Sequence, residues 1–169
     1  MIEVTAERMA HGGSAVGRVD GQVVFVRGAI PGETVRAEVV RTGRRGRFLE
    51  AETVEVLQPS PDRVRPPCPL ADVCGGCDWQ HIAVPRQRQL KAEVLADQLH
   101  RLGGVDVPVT VDPAGDRAGL GWRTRMRFAA TPRGRWGLRR ERSHEVVTVD
   151  SCPIATADLD RALSGAPFG

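Results

Sequence analysis

The sequence predicts a mainly β chain, α+β overall, from three features of its 169 residues. Short apolar runs with period-two alternation are separated by glycine-containing turns, which is typical of antiparallel strands. One long segment, after Pro85, has the apolar spacing of an amphipathic helix and stops at Gly103-Gly104. A run with five prolines in twelve residues, "QPSPDRVRPPCP", separates the strand-rich beginning from the rest. Because proline blocks both helix and ladder hydrogen bonds, this run predicts a linker between two parts.

Residues 1–58 predict a small barrel. "QVVFVRG" follows the Asp20-Gly21 pair, which is a strong hairpin-turn signal, and "TVRAEVV" alternates cleanly between its two faces. In "RFLEAETVEVL" the apolar face shifts register to Val54 and Val56, as a bulge in a curved sheet would cause. Five strands of this length predict an OB-like barrel.

Three segments follow the barrel. Residues 59–67 predict the proline-rich linker, residues 68–104 a cysteine-rich loop with the helix, and residues 105–169 an incomplete strand-rich domain. Within the last segment, "WRTRMRFA" has the cleanest period-two pattern, which predicts a strand with Trp122 on its apolar face. "RWGLRR" and "EVVTV" are candidate partners of this strand, and "TADLDRAL" predicts a short helix.

The composition argues against a membrane or secreted protein. No apolar run approaches the roughly 20 residues that a membrane span needs. The N-terminus lacks the basic start and apolar stretch of a signal peptide. We therefore predict a cytoplasmic chain with no membrane partner.

The basic residues are unevenly distributed, although the net charge is only +3. Lys91 is the single lysine among 24 basic residues, and the arginines cluster in residues 36–47 and 122–142. Codon usage of a GC-rich genome explains the preference for arginine but not the clustering, which favours a polyanionic partner such as nucleic acid. A solvated outer face is the alternative. The candidate contacts are Arg123, Arg125 and Arg127 on one face of the predicted strand, Arg44, Arg45 and Arg47 of the barrel, and Gln80 for an unstacked base.

Four cysteines form the sharpest motif: Cys68, Cys74 and Cys77 lie within ten residues, and Cys152 is followed by proline. Disulfides are improbable in a reducing compartment, and a loop rich in glycine and proline is poor core material. Metal binding is therefore the favoured interpretation. Zinc sites commonly pair two short knuckles, whereas three clustered thiolates with one remote Cys-Pro are typical of four-iron clusters. The spacing favours a [4Fe-4S] cluster, with zinc as the alternative.

These motifs resemble the RNA uracil-5-methyltransferases, which use S-adenosylmethionine and carry an N-terminal TRAM domain. "HGGSAVGRVDGQVVFVRGAIPGETVRAEVV" is similar to the TRAM barrel, "SPDRVRPPCPLADVCGGCDWQHI" to the cluster loop, and "WRTRMRF" with "RSHEVVTVDSCPI" to the central domain. The resemblance implies that the partner is RNA, either ribosomal or transfer RNA. It also implies the cluster ligands, which are Cys68, Cys74, Cys77 and Cys152.

The Rossmann-like methyltransferase domain of that family is not found in these residues, so we expect neither catalytic residues nor a small-molecule substrate here. S-adenosylmethionine would be bound only through the missing domain, and whether the chain is an enzyme stays open. The leading hypothesis is the RNA-recognition and cluster-bearing part of a uridine C5-methyltransferase. The alternative is a stand-alone RNA-binding module with a structural metal site, and the reading frame after codon 169 distinguishes the two. A radical S-adenosylmethionine enzyme is a third option, which the five-residue first cysteine gap disfavours.

Overall fold

A computed structural model describes residues 1–113, 118–141 and 143–164. Two compact units divide the chain: the first comprises Met1–Val64 and His81–Val111, and the second comprises Arg65–Gln80 and Asp112–Gly169. The sequence predicted one segment, residues 68–104, for the cysteine loop and the helix that follows it. In the structure the helix belongs to the first unit and the loop to the second. Among the described residues, no helix combines the length and the apolar character that crossing a bilayer requires.

The first unit contains a six-stranded sheet that closes on itself. Its strand order is β1-β5-β6-β4-β3-β2, with β4 and β6 parallel and the other pairs antiparallel. The two end strands are consecutive in the chain, separated only by Ala6 and Glu7, so the chain joins one end of the sheet to the other. The strands are β1 Ile2–Thr5, β2 Arg8–Met9, β3 Ala15–Val19, β4 Gln22–Arg27, β5 Thr34–Thr42 and β6 Phe48–Gln58. The predicted mainly β class is confirmed.

Local sequence signals explain the turns and the curvature of this barrel. Asp20 and Gly21 both adopt positive φ, at 49° and 80°, as a tight hairpin turn between β3 and β4 requires. The register between β5 and β6 shifts at three places, and one shift leaves Val54 without a partner. The bulge therefore occurs where the sequence predicted it, but Val54 is 59% exposed and does not join the predicted inner face.

Small apolar side chains fill the barrel, and one helix is attached to this unit. Val24, Val26, Val35 and Ala37 are fully buried. Helix α1, Val84–Gly103, buries Leu90 completely and ends at Gly104, whose φ of 61° is the left-handed conformation typical of helix ends. The predicted apolar stripe of this helix is only partly buried, because Leu95 and Leu102 are exposed.

Glu33 is a charged residue buried inside the first unit. Its carboxylate accepts two hydrogen bonds from the Arg63 guanidinium, each 2.6 Å long. It also accepts the backbone N–H groups of Ile30 at 2.9 Å and Ser60 at 3.0 Å. Arg63 donates in addition to the Gly28 carbonyl at 2.6 Å. The pair therefore ties the segment that follows β6 to the loop between β4 and β5.

Gly17 allows the two ends of the sheet to approach each other. A Cβ at this position would overlap the Thr5 carbonyl oxygen and would lie 2.6 Å from Val4 Cγ2. We expect Gly17→Ala to lower the free energy of unfolding by about 1–3 kcal/mol, since β1 cannot move away without disturbing its pairing with β5. Urea unfolding followed by far-UV circular dichroism measures this loss.

The matched control for that substitution is Gly103→Ala at the end of α1. There the nearest atom to an added Cβ is 3.5 Å away, which is an ordinary van der Waals contact. Alanine also favours the helix relative to glycine, so this variant should be as stable as the wild type or slightly more stable. Equal unfolding midpoints for Gly17→Ala and the wild type would contradict the predicted close approach.

Within the described ranges, the second unit has fewer and generally shorter strands than the first. A three-stranded antiparallel sheet has the order β7-β8-β9, and a short helix follows it. The elements are β7 Ala129–Ala130, β8 Trp136–Arg139, β9 Val146–Thr148 and α2 Ala157–Ser164. The strands in "RWGLRR" and "EVVTV" and the short helix are therefore found as predicted. The buried core of this unit consists of Val149, Cys152, Ile154, Ala155 and Leu163.

The predicted strand over "WRTRMRFA" is wrong for most of its length. Only Ala129 and Ala130 join a ladder, and before them Arg123 makes a single parallel bridge with Ala155. Trp122 is 51% exposed, whereas the predicted apolar face should have buried it. Alternation persists further on, since Met126 and Phe128 pack against the core. A period-two pattern specifies a face only where strand pairing holds the backbone straight, and this segment lacks that pairing.

Candidate metal centre and nucleic-acid interface

The cysteine loop begins and ends at one place in the first unit. The Val64 N–H donates to the His81 carbonyl at 2.9 Å, and Arg63 and Ile82 form an antiparallel bridge. Residues 65–80 lie between these tied ends. Inside the loop, Ala71 N–H donates to the Cys68 carbonyl at 3.2 Å and Cys74 N–H to the Leu70 carbonyl at 2.8 Å. The loop is therefore a series of tight turns, which brings its cysteines close together.

All four cysteines line one cavity of the second unit. Cys68, Cys74 and Cys77 come from the loop, and Cys152 comes from the segment after β9. The apolar part of the lining consists of Leu70, Ala71, Met126, Leu138, Val149 and Ile154. Within the part of the chain that the structure describes, no three His, Cys, Asp or Glu side chains are grouped tightly enough to hold a single metal ion. The fold thus gathers the four predicted ligands around a shared space.

Hydrogen bonds hold the cysteines in place. Gln80 Oε1 accepts the Cys68 N–H at 3.1 Å, and the Gln80 side chain also hydrogen-bonds the Cys77 thiol. Gln80 therefore connects two of the predicted ligands, whereas the sequence alone suggested that it contacts an RNA base. The backbone N–H groups of Ile154 and Ala155 hydrogen-bond the Cys152 sulfur. Such hydrogen bonds to sulfur are one of the means by which proteins tune iron-sulfur clusters.

The cavity disfavours four free thiolates. Burial raises the pKa of the Cys77 thiol, and the neighbouring Cys152 and Cys74 raise it further, while the Gln80 hydrogen bond and the Arg123 charge lower it less. Burial also raises the pKa of Cys152, against the lowering effect of its two backbone hydrogen bonds. A positively charged centre would reverse this balance by stabilising the thiolates. The donor set, four soft sulfur ligands with apolar surroundings, fits an iron-sulfur cluster.

The two glycines between the last loop cysteines have different surroundings. Gly75 lies against the backbone that follows β8: its N–H donates to the Arg139 carbonyl at 3.2 Å, and an added Cβ would lie 2.8 Å from Glu141 Cα. A Cβ on Gly76 would point towards the Cys74 sulfur, at 3.4 Å. Glycine is therefore required at Gly75 for the close backbone approach that places the loop.

A second candidate site is the basic turn of the first unit, residues 43–47. Arg44, Arg45 and Arg47 are all exposed on this turn. The Gly43 N–H donates to the Phe48 carbonyl at 2.8 Å, and the Gln22 side chain donates to the Gly46 carbonyl. Arg45 itself has a positive φ of 57°. Several hydrogen bonds thus fix the backbone of a tight turn that carries three exposed arginines.

The described arginines in residues 36–47 and 122–142 fall into two groups, those that form an ion pair with a described acidic side chain and those that do not. Four of them are neutralised by neighbouring acids, in the pairs Arg36–Glu55, Arg41–Glu50, Arg135–Asp150 and Arg140–Glu145. By contrast, no described acidic residue forms an ion pair with the three arginines of the basic turn or with Arg125 and Arg127. Arg142 lies outside the described residues. The charges available to a polyanion are therefore fewer than the sequence suggests.

Arg123 has different surroundings from Arg125 and Arg127. Its side chain lines the cysteine cavity, and its guanidinium carbon lies 5.4 Å from the centroid of the Trp122 ring. Its N–H donates to the Ile154 carbonyl at 2.7 Å, and its carbonyl accepts the Thr156 N–H at 3.0 Å. The prediction that the three arginines share one outer face is therefore wrong for Arg123, because its backbone is fixed by the segment that carries Cys152.

Comparison with known families identifies the N-terminal part of the first unit. Residues 1–54 match the TRAM domain family. This part of the chain is a TRAM domain. The basic turn between β5 and β6 belongs to it, and so do strands β1 to β5 and the first part of β6.

The similarity to known proteins extends beyond the TRAM domain. An uncharacterized RNA methyltransferase of Streptomyces coelicolor is 49% identical in an alignment 166 positions long, and the match covers 90% of this chain and 36% of that protein. The 23S rRNA (uracil(1939)-C(5))-methyltransferase of Halomonas elongata is 42% identical, covering 95% of this chain and 34% of that protein. The chain therefore spans about a third of the length of these relatives.

A solved structure agrees with this relationship. The crystal structure of the Pyrococcus abyssi tRNA (uracil-54, C5)-methyltransferase in complex with S-adenosyl-L-homocysteine superimposes with a TM-score of 0.59 at 25% identity. The match covers 95% of this chain and 35% of that protein. The predicted relationship to RNA uracil-C5 methyltransferases is confirmed.

Proposed function

We propose that this chain is the RNA-recognition and [4Fe-4S]-bearing N-terminal part of an S-adenosylmethionine-dependent RNA uridine C5-methyltransferase. The observation that carries the proposal is the convergence of four cysteines on one cavity in a chain that also has a TRAM domain. The names of its relatives support RNA as the substrate, either ribosomal or transfer RNA. Methyl transfer itself is assigned to a domain outside residues 1–169, because all four thiols of this chain are assigned to the cluster.

The proposed cluster ligands are Cys68, Cys74, Cys77 and Cys152. When bound, the cluster would supply iron–thiolate bonds that join the loop to the segment after β9. The second unit needs such a connection, since its buried core contains only five of the residues that the structure describes. Small domains with so little buried apolar surface generally depend on disulfides or metals. We therefore assign the cluster a structural role.

RNA would be bound by the arginines that are not paired with acids. A guanidinium donates two parallel hydrogen bonds to a phosphate, which suits arginine better than lysine to this task. Arg44, Arg45 and Arg47 form one such group on the TRAM domain, and Arg125 and Arg127 form another in the second unit. Both groups are exposed, and the hydrogen bonds of the basic turn limit the entropy that the first group loses on binding.

The salt dependence of RNA binding tests this assignment. Each phosphate contact on single-stranded RNA contributes about −0.7 to the slope of log affinity against log salt concentration. We expect Arg125→Ala with Arg127→Ala to reduce the magnitude of this slope by about 1.4, and the triple alanine variant of the basic turn to reduce it by about 2. Fluorescence anisotropy with a labelled single-stranded RNA at several salt concentrations measures both slopes.

Arg135→Ala is the matched control, because it removes an arginine that Asp150 already neutralises. Its slope should equal that of the wild type. If all of these variants bind RNA with wild-type affinity and slope while remaining folded, the arginines form a solvated surface and the proposed RNA-recognition role is wrong.

A further inference from the structure

Trp122 is a large aromatic residue whose position is fixed although half of its surface is exposed. Its neighbours on both sides are hydrogen-bonded to the segment after Cys152: Gly121 N–H donates to the Pro153 carbonyl at 3.0 Å, and Arg123 N–H to the Ile154 carbonyl at 2.7 Å. The Arg123 guanidinium lies over the indole ring at 5.4 Å from its centroid. The residue as a whole is 51% accessible to solvent. An exposed indole that is supported in this way loses little conformational entropy when it binds a planar partner.

We propose that Trp122, supported by Arg123, is a stacking site for an unpaired RNA base. This inference rests on the proposed function, since it takes RNA as the partner. Unstacked bases in single-stranded RNA are commonly recognised by stacking on an aromatic ring or on an arginine plane. The nearby guanidinium adds a cation–π interaction with the indole and keeps positive charge beside the bound nucleotide.

The charges next to Trp122 specify a nucleotide as the occupant. Arg125 lies three residues further along the chain and Arg127 five, both exposed and without an ion pair to any described acid. A fully extended backbone spans at most about 3.6 Å per residue, so Arg125 is within about 11 Å of Trp122. One RNA strand can therefore stack a base on the Trp122 indole and at the same time place a phosphate against the Arg125 guanidinium. An apolar peptide would leave these charges without a partner.

The test compares Trp122→Ala with the wild type on two labelled probes, a short single-stranded oligouridylate and an abasic RNA of the same length. Stacking on an aromatic side chain accounts for roughly 5- to 150-fold in affinity per base, so the substitution should weaken oligouridylate binding by a factor in that range. The salt slope should not change, because no phosphate contact is lost. Binding of the abasic probe should not change either. Anisotropy titrations give all three quantities.

Three further variants make the result specific. Trp122→Phe retains a ring and should keep most of the affinity, whereas Trp122→Leu retains apolar bulk and should bind as weakly as Trp122→Ala. Leu102→Ala removes another exposed apolar side chain, 83% accessible, and should bind like the wild type. Circular dichroism of each variant verifies that it is folded.

Two outcomes would overturn the inference: wild-type affinity of Trp122→Ala for oligouridylate, or an equal loss of affinity on the abasic probe. Both are distinguishable from failure of the proposed function. If Trp122→Ala has no effect but the arginine variants still reduce the salt slope, RNA recognition stands and only the stacking site is rejected.

Discussion

Replacing Glu33 by alanine is expected to lower the free energy of unfolding of the TRAM domain by about 3–5 kcal/mol. The substitution leaves the Arg63 guanidinium, which is 24% exposed, without its carboxylate partner. It also removes the acceptor of the Ile30 and Ser60 backbone N–H groups. Because whole domains are stable by only about 5–15 kcal/mol, such a loss places the barrel near its unfolding threshold.

The measurement must report on the TRAM domain itself. All three tryptophans, Trp79, Trp122 and Trp136, lie in the second unit, so their fluorescence is unsuitable. Hydrogen exchange of peptides from β4 and β5, together with far-UV circular dichroism, follows the barrel directly. Glu55→Ala is the matched control, since it breaks an exposed pair with Arg36 and should cost less than about 1 kcal/mol. Equal exchange protection in the Glu33 and Glu55 variants would contradict the prediction.

The stabilisation by Glu33 should also depend on pH. Burial alone would raise the pKa of this carboxyl, but hydrogen bonds from Arg63, Ser60 and Ile30 and the Arg63 charge together hold it below its ordinary value. A lowered pKa in the folded state means that the stabilisation is present above the pKa of the unfolded chain. It is lost as the pH falls through the folded-state pKa. The stability difference between wild type and Glu33→Gln should therefore be largest near neutral pH and should shrink in acid.

Cys152→Ser is expected to abolish the cluster and, with it, the cooperative unfolding of the second unit. Protein purified without oxygen should contain about four irons and four acid-labile sulfides per chain, whereas the variant should contain neither in that amount. The stability effect follows because the free energy of binding a structural metal is part of the free energy of folding. Iron and sulfide analysis and visible absorption measure the cluster, and tryptophan fluorescence during urea unfolding, which reports on the second unit, measures the loss of cooperativity.

Leu163→Ala separates loss of a ligand from loss of core packing. Leu163 is buried in the same core as Cys152 but does not line the cavity. Its truncation should cost about 2–5 kcal/mol and should leave the iron content unchanged. Wild-type protein with stoichiometric zinc and no labile sulfide would show that the thiols bind zinc, and full iron content in Cys152→Ser would show that Cys152 is not a ligand.

Local patterns in the sequence predicted those parts of the fold that local physics determines. The hairpin at Asp20-Gly21, the strand Thr34–Thr42 and the end of α1 at Gly104 each depend on residues a few positions apart. The closure of the barrel by β1 and β2 was not anticipated in detail. It depends on Gly17 contacting the end of β1, and a single glycine in a strand does not identify its distant neighbour.

In the candidate site, too, features that depend on nearby residues were predicted and features that depend on distant residues were not. The short spacing of Cys68, Cys74 and Cys77 predicted that these three thiols belong together, since ligand spacing is a local signal, whereas the distant Cys152 was added through the Cys-Pro pattern and the family resemblance. The position of Arg123 could not be predicted, because it depends on the carbonyl of Ile154, which is distant in sequence. The burial of Glu33 was equally hidden, as its partner Arg63 lies thirty residues further on. Long-range pairing of polar groups leaves no periodicity that a single sequence reveals.

The tied ends of the cysteine loop have a consequence for the order of events during biosynthesis. Because Val64 and His81 are hydrogen-bonded to each other within the first unit, contacts of the first unit alone hold the two ends of the loop together. The entropic cost of bringing the loop ends together is then offset by folding of the barrel and does not have to be met when the proposed cluster binds. Under the proposed function, a ribosome-bound chain would thus fold its TRAM domain early, and the ends of the loop that carries three proposed ligands would be joined before the cluster binds. Cys152, which is synthesised last of the four, would close the site only when the strands of the second unit have formed.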